Sequence, residues 1–421
     1  MIQSVDSEWD VVVIGGGPAA STVACLTARG GYRVLLLERE SQPRFHVGES
    51  LIPACNPILR RLGVEEWLND SAFPRKYSVQ FVSASGRESA PFYFDEHDPD
   101  GESYTWQVVR SEFDAMLMEN ALSNGADVRW GHSVREILFE GDRAVGVRYD
   151  TAGEHRRDKQ GQIARARIVI DASGQSAFLA MRLGLRMDDP RLKNATIWTY
   201  FEGAVRDPGR DAGTTLILQS SDQKSWFWYI PLPGDVVSVG CTGALNDLFA
   251  DRSRSPKEIF SQEVARCPAL QQRLASANST GVFHTTKDFS YQTSQGAGPG
   301  WMLVGDALGF IDPVYSSGVF LALKSGEMAA DCAIDALREG DFSGERLGQW
   351  QPDYKSGVAR FRRLVYAFYD PEFRIGHFLK QFPQHHTAIT DMLIGNVYRD
   401  DLEEVMLDLD RFCHTSPTEV V

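Results

Sequence analysis

Four short stretches carry residue types that do chemistry once they are folded together. Near the N-terminus, Gly15-x-Gly17-x-x-Ala20 grows out of the β-branched run "DVVVIGGG" at 10–17. Gly15 permits a tight turn, Gly17 lets backbone approach a pyrophosphate, and Ala20 allows close helix–strand contact. Glu38 ends the next apolar run, "YRVLLLERE" at 32–40, where a carboxylate binds a ribose hydroxyl. An acid there fits an adenosine ribose with free hydroxyls, so the pattern predicts FAD or NAD and not NADP. "GDALGFIDP" at 305–313 separates the two. Gly305 and Asp306 close a strand, Asp306 is placed to accept from ribityl hydroxyls, and the following helix aims its N-terminus at the isoalloxazine. NAD needs no such distant second element, so the predicted cofactor is FAD.

"SWFWYIPL" at 225–232 is the third stretch. Residues two apart on a strand share a face, so Trp226 and Trp228 both point inward. Taken alone, the pair reads as an aromatic core hairpin; beside flavin motifs it reads as cavity lining. Lys76, in "FPRK" at 73–76, is the fourth, and by itself a lone lysine reads as a solvated surface residue.

The elements that must position these residues follow from the pattern. The N-terminus is a βαβ unit, with helix over 18–30 between two buried strands. From about 127 to 172 a β-meander is predicted, with the charged excursion "DTAGEHRRDKQGQIARAR" as a solvated hairpin and "RIVIDASG" at 167–174, with Asp171, as another buried strand. Thr-, Val-, Trp- and Tyr-rich runs over 190–290 predict a separate antiparallel sheet, 317–338 is helical, and 343–413 reads as a helical tail. The predicted class is α/β. A Rossmann-like FAD-binding domain (1–75, 105–180, 285–340) interleaves with an antiparallel substrate-side domain (76–104, 181–284), and 341–421 follows as a helical region.

The chain has 421 residues and a net charge of −14, which argues against nucleic acid and anionic membrane surfaces as partners. Its six cysteines form no C-x-x-C pair and no metal spacing, so they read as reduced thiols and no metal site is expected. No signal peptide and no bilayer-length apolar run are visible, and the expected location is cytoplasmic.

Together the stretches resemble the FAD-dependent halogenases, within the flavoprotein monooxygenases, over essentially the whole chain. The likeness is greatest to the branch acting on pyrrole and phenol rings. It is carried by "PRFHVGESLIPACNPILRRLGV" (43–64), "FPRK", "SWFWYIPL" and "GDALGFIDPVYSSGV" (305–319), and Trp226, Trp228, Ile230 and Pro231 match the family's W-x-W-x-I-P motif in full. The resemblance implies that FADH2 from a separate flavin reductase, oxygen and chloride or bromide generate hypohalous acid. The two indoles would wall the flavin off from the arene, and Lys76 would capture the hypohalous acid. A buried ammonium has a pKa lowered by desolvation, so it can donate to that acid or be halogenated itself. Backbone N–H groups of Ser317 and Gly318 would hold the halide, and Arg44, Glu49, Ser50, Arg110 and Val319 would lie by the FAD. The implied substrate is a pyrrole, phenol or related ring, free or on an acyl or peptidyl carrier protein. A flavin monooxygenase or geranylgeranyl-reductase-like enzyme on the same fold, and a non-catalytic flavin-binding protein, remain open on the residues alone.

Overall fold

The protein is described by a computed structural model over residues 9–96, 103–151, 161–287, 289–370 and 372–413. Its first layer is a largely parallel sheet in the order Ala297–Gly298, Trp301–Leu303, Gln162–Asp171, Trp9–Ile14, Val34–Glu38, Asp127–Trp130. Trp9–Ile14 sits at its centre, parallel to Val34–Glu38 on one side and to Gln162–Asp171 on the other. Such strands are buried on both faces, which is why they read as unbroken Val, Leu and Ile runs. Helix Pro18–Arg29 covers one face and packs between Arg110–Ser123 and the long helix Ser317–Glu339.

Gln162–Asp171 does two jobs. Its first half pairs antiparallel with Arg143–Thr151, which in turn pairs with His132–Glu140, giving the expected meander; its second half joins the parallel layer. Much of the predicted solvated hairpin, residues 152–160, lies outside the described residues.

The second layer runs from Asn278–Ser279 and His284–Lys287 through Asn194–Glu202, Val236–Ala244, Ser225–Pro231 and Thr215–Gln219 to Ser78–Val82 and Phe92–Tyr93. It is antiparallel except for one pair, Thr215–Gln219 with Ser78–Val82, which run parallel. That pair joins segments far apart in sequence, so no hairpin constrains their direction. Strand alternation then divides the side chains. Phe227 and Tyr229 pack with Ile259, Phe260 and Leu270 of two covering helices, whereas Trp226, Trp228 and Ile230 face the parallel layer. Helices Gly344–Gly348, Gln351–Tyr369, Ile375–Gln381, His386–Ile394 and Glu403–Phe412 complete the C-terminal region. All six cysteines are free thiols.

Candidate active site

The two layers line a groove that opens to solvent, floored by turns at the carboxyl ends of the parallel strands. Gly17, Pro18 and Ala19 come from the first turn, Ala172, Gly174 and Gln175 from the turn after Asp171, and Val304, Gly305 and Asp306 from the turn after Leu303. Gly15 has φ +107°, and a Cβ there would stand 2.5 Å from the Ala172 carbonyl oxygen, so only glycine makes this turn. At Gly17 a Cβ would meet nothing within 4 Å; the groove is open against its backbone. A cradle of bare backbone at a helix start is what a pyrophosphate requires, and the residues fit FAD. They would hold its diphosphate at Gly17 and its ribityl chain at Asp306. Burial pushes the Asp306 carboxyl up to about 6, opposed by nearby Arg110 and a bond with Gln175.

Of the residues singled out in the sequence, Gly17, Arg44, Glu49, Ser50, Arg110, Trp226, Trp228, Gly305, Asp306, Gly318 and Val319 all line this groove. Gly15, Ala20, Glu38, Lys76 and Ser317 stand behind the lining. Glu38 is buried and accepts the Glu40 N–H at 2.9 Å, with its carboxylate beside Gly16. Arg110 forms a two-pronged pair with Asp114 at 2.8 and 2.9 Å and donates to the Val47 carbonyl at 2.8 Å. It therefore fixes the 43–49 loop as well as facing the groove. Burial pushes the Glu49 carboxyl up to about 7, while the Tyr200 hydroxyl donates to it at 2.6 Å.

Trp226 and Trp228 lie 6.2 Å apart between ring centres, and Trp228 lies 6.4 Å from Trp198 on the strand Asn194–Glu202. Trp198 in turn stacks on His284 at 5.2 Å, and His284 on Phe45 at 4.3 Å. The indoles are held by their nitrogens as well as by packing. Trp228 donates to the Ser238 hydroxyl at 3.1 Å and Trp226 to the Tyr369 hydroxyl at 2.8 Å. The wall has a backbone requirement: Gly240 pairs with both Trp228 and Trp198, and a Cβ on it would fall 2.1 Å from the Trp228 ring.

Lys76 is wholly buried on the short strand Arg75–Lys76, paired with Thr105–Trp106. Its ammonium donates to the Ser50 hydroxyl at 2.9 Å and to the Leu51 carbonyl at 2.8 Å, and lies 5.7 Å from the centre of the Phe94 ring. Burial pulls its pKa down to about 7, against a smaller opposing influence of Cys55. Ser50 shares a hydrogen bond with Thr215 at 2.9 Å, and both line the groove. Thr215, Ile217 and Ser316 also line a small apolar cavity on the far side, bounded by Val79, Phe81, Phe92 and Phe94. Lys76 thus sits between two spaces, joined to one through Ser50 and separated from the other by Phe94.

The turn Pro313–Tyr315 leads into helix Ser317–Glu339 through Ser316, which takes the left-handed region at φ 56°. A non-glycine residue held there stores strain and sets the direction of the first free N–H groups of the helix. Gly318 and Val319 face the groove, and Ser317 is buried just behind them.

The tryptophan halogenase family model matches residues 10–99 and 87–384. The chain belongs to the tryptophan halogenase family. It is 31% identical to the 1H-pyrrole-2-carbonyl-[peptidyl-carrier protein] chlorinase of Pseudomonas fluorescens, covering 95% of this chain and 92% of that one. Among solved structures, the flavin-dependent brominase Bmp2 superposes with a TM-score of 0.85 at 27% identity, covering 96% of this chain and 97% of the other. The myxobacterial chondrochloren halogenase CndH superposes with a TM-score of 0.80 at 32% identity, covering 96% of both chains. The protein is an FAD-dependent halogenase, an oxidoreductase. Among its described residues no helix is long and apolar enough to cross a membrane.

Two parts of the halogenase site were missed in the sequence. Trp198 carries the same kind of signal as Trp226, an indole on an alternating strand, but no second indole at a spacing of two. Gly240 carries no signal, because its role appears only when its strand is laid between the two tryptophan strands.

Proposed function

We propose that this halogenase chlorinates or brominates an electron-rich ring of the pyrrole or phenol type, presented free or on a carrier protein, with Lys76 as the residue that delivers the halogen. The observation that carries this reading is the placement of Lys76. It is fully buried, has a depressed pKa, and stands between the cofactor groove and a small apolar cavity. Bound reduced FAD would supply, with oxygen and halide, the hypohalous acid. The chain's own residues do the rest. Gly318 and Ser317 offer backbone N–H groups to the halide, Trp226 and Trp228 keep water and competing nucleophiles from the path, and Ser50 and Lys76 receive the hypohalous acid by hydrogen bonding. An amine near neutrality holds a proton to donate yet retains a nucleophilic fraction, which a guanidinium at Arg75 cannot match.

Carrier presentation is supported by the similarity to a chlorinase named for a carrier-bound pyrrole. A net charge of −14 is compatible with a locally basic dock for an acidic carrier protein. A separate flavin reductase would supply FADH2, since the sequence holds one dinucleotide fingerprint. The setting is cytoplasmic, with the three-part discontinuous FAD-binding domain as the catalytic frame.

The test supplies the protein with FADH2, oxygen and bromide, and offers pyrrole-2-carbonyl on a carrier protein and a free phenol in separate reactions. Brominated arene in either supports the reading. A hydroxylated product, as a monooxygenase would make, or flavin oxidation with no halogenated arene from either substrate, overturns it.

A further inference from the structure

Behind the indole wall lies a buried polar chain that reaches the C-terminal helix Gln351–Tyr369. The Trp226 indole N–H donates to the Tyr369 oxygen at 2.8 Å, and the Tyr369 hydroxyl donates to Asp312 Oδ2 at 2.7 Å. Asn194 donates to that same oxygen at 2.8 Å, and Asp312 Oδ1 accepts the Val314 N–H at 3.2 Å. The direction of every bond is fixed, because an indole nitrogen only donates and the hydroxyl must spend its single proton on the carboxylate. Asp312 is wholly buried, and the packing around the chain is aromatic: Phe368 meets Trp226 edge-on at 5.9 Å and Tyr315 at 6.1 Å. One carboxylate therefore ties down two things. It closes the turn Pro313–Tyr315 that leads to Ser316, Ser317 and Gly318, and through Tyr369 it sets the Trp226 indole.

We propose that Asp312 and Tyr369 are positioning residues that hold the Trp226 indole and the halide turn in one fixed relation, so that hypohalous acid is contained on its way to Lys76. The proposal rests on the function given above. Neither residue lines the cofactor groove, and neither touches the reacting atoms. Their effect is transmitted by geometry. With the Tyr369 hydroxyl removed, the indole N–H is left buried without an acceptor, and its ring turns to find one.

The test compares wild type with Tyr369→Phe, and with Tyr398→Phe as control, since the Tyr398 hydroxyl is buried with no partner among the described residues. Two readouts are taken. In 15N-labelled protein without cofactor, the indole N–H resonance of Trp226, assigned by its disappearance in Trp226→Phe, should shift and exchange faster with solvent in Tyr369→Phe but not in Tyr398→Phe. In the loaded enzyme, the ratio of halogenated arene to hydrogen peroxide per FADH2 oxidised should fall about fivefold or more, the population change that loss of one buried hydrogen bond brings. If wild type halogenates and Tyr369→Phe leaves both the resonance and the ratio unchanged, the positioning proposal is overturned while the functional reading stands. If the resonance moves but the ratio does not, the bond is structural only and the proposal is equally overturned. A wild type that yields no halogenated arene removes the functional reading itself. Should Tyr369→Phe fold poorly, Asn194→Ala, which strips a different donor from the same carboxylate, should lower the ratio in the same direction.

Discussion

The Lys76 ammonium donates to the hydroxyl of Ser50 at 2.9 Å, with both side chains buried, and Ser50 faces the cofactor groove while Lys76 does not. A cation has been taken out of water and given two neutral acceptors but, among the described residues, no carboxylate. That is an expensive arrangement, and its cost is measurable.

The first prediction is a pH dependence of stability. In the folded chain Lys76 releases its proton near pH 7, and in the unfolded chain near 10.5. Between those values the unfolded state binds more protons, so stability rises with pH across that window and is lowest at and below pH 7. Against Lys76→Met, which has no such proton, the wild type should gain roughly 3 kcal/mol between pH 7 and 9.5. Urea unfolding of both proteins across this range, without cofactor, measures it. Parallel stability curves would mean that the lysine titrates normally.

Gly240 is the next point of leverage. A methyl group there collides with the Trp228 ring, and the strand is central, so the ring must move. Gly240→Ala should lower stability by about 1–3 kcal/mol and shift the tryptophan near-ultraviolet circular dichroism. It should also release more peroxide per halogenated product. A stable variant with an unchanged tryptophan spectrum would contradict the close packing described.

How much of this was legible in the sequence depends on how local each feature is. Gly15, Gly17 and Glu38 form one βαβ unit from contiguous residues, and the alternation of "SWFWYIPL" places its indoles without reference to anything else. Lys76 was different. Its residue type points to solvent, and it is buried because Thr105 pairs beside it and Ser50 and Leu51 cross above it, contacts that only the tertiary fold creates. The family resemblance, and not the residues themselves, singled it out. Gly240, Trp198 and the Asp312–Tyr369 chain escaped for the same reason: their meaning lies in pairing across distant strands and helices.

The indole wall predicts its own phenotype. Replacing Trp226 and Trp228 together by Phe keeps apolar lining but removes both N–H anchors. The double variant should retain FAD while its ratio of halogenated arene to peroxide drops, because hypohalous acid survives only where water and competing nucleophiles are kept out. Quantifying both products per FADH2 oxidised decides it. An unchanged ratio together with a lower melting temperature would reduce the pair to core packing.

The most direct measurement concerns what becomes of the halogen in Lys76→Met. Flavin oxidation, free hypobromous acid intercepted by a small-molecule trap, and brominated arene are counted in the same single-turnover reaction with FADH2, oxygen and bromide. On the proposed role of Lys76, which follows the cofactor's step, the variant should bind FADH2 and oxidise it to FAD at close to the wild-type rate. The brominated arene should fall to background, with the missing bromine recovered in the trap. Brominated arene at the wild-type yield from Lys76→Met would contradict the assignment of the lysine, and with it the route from groove to substrate.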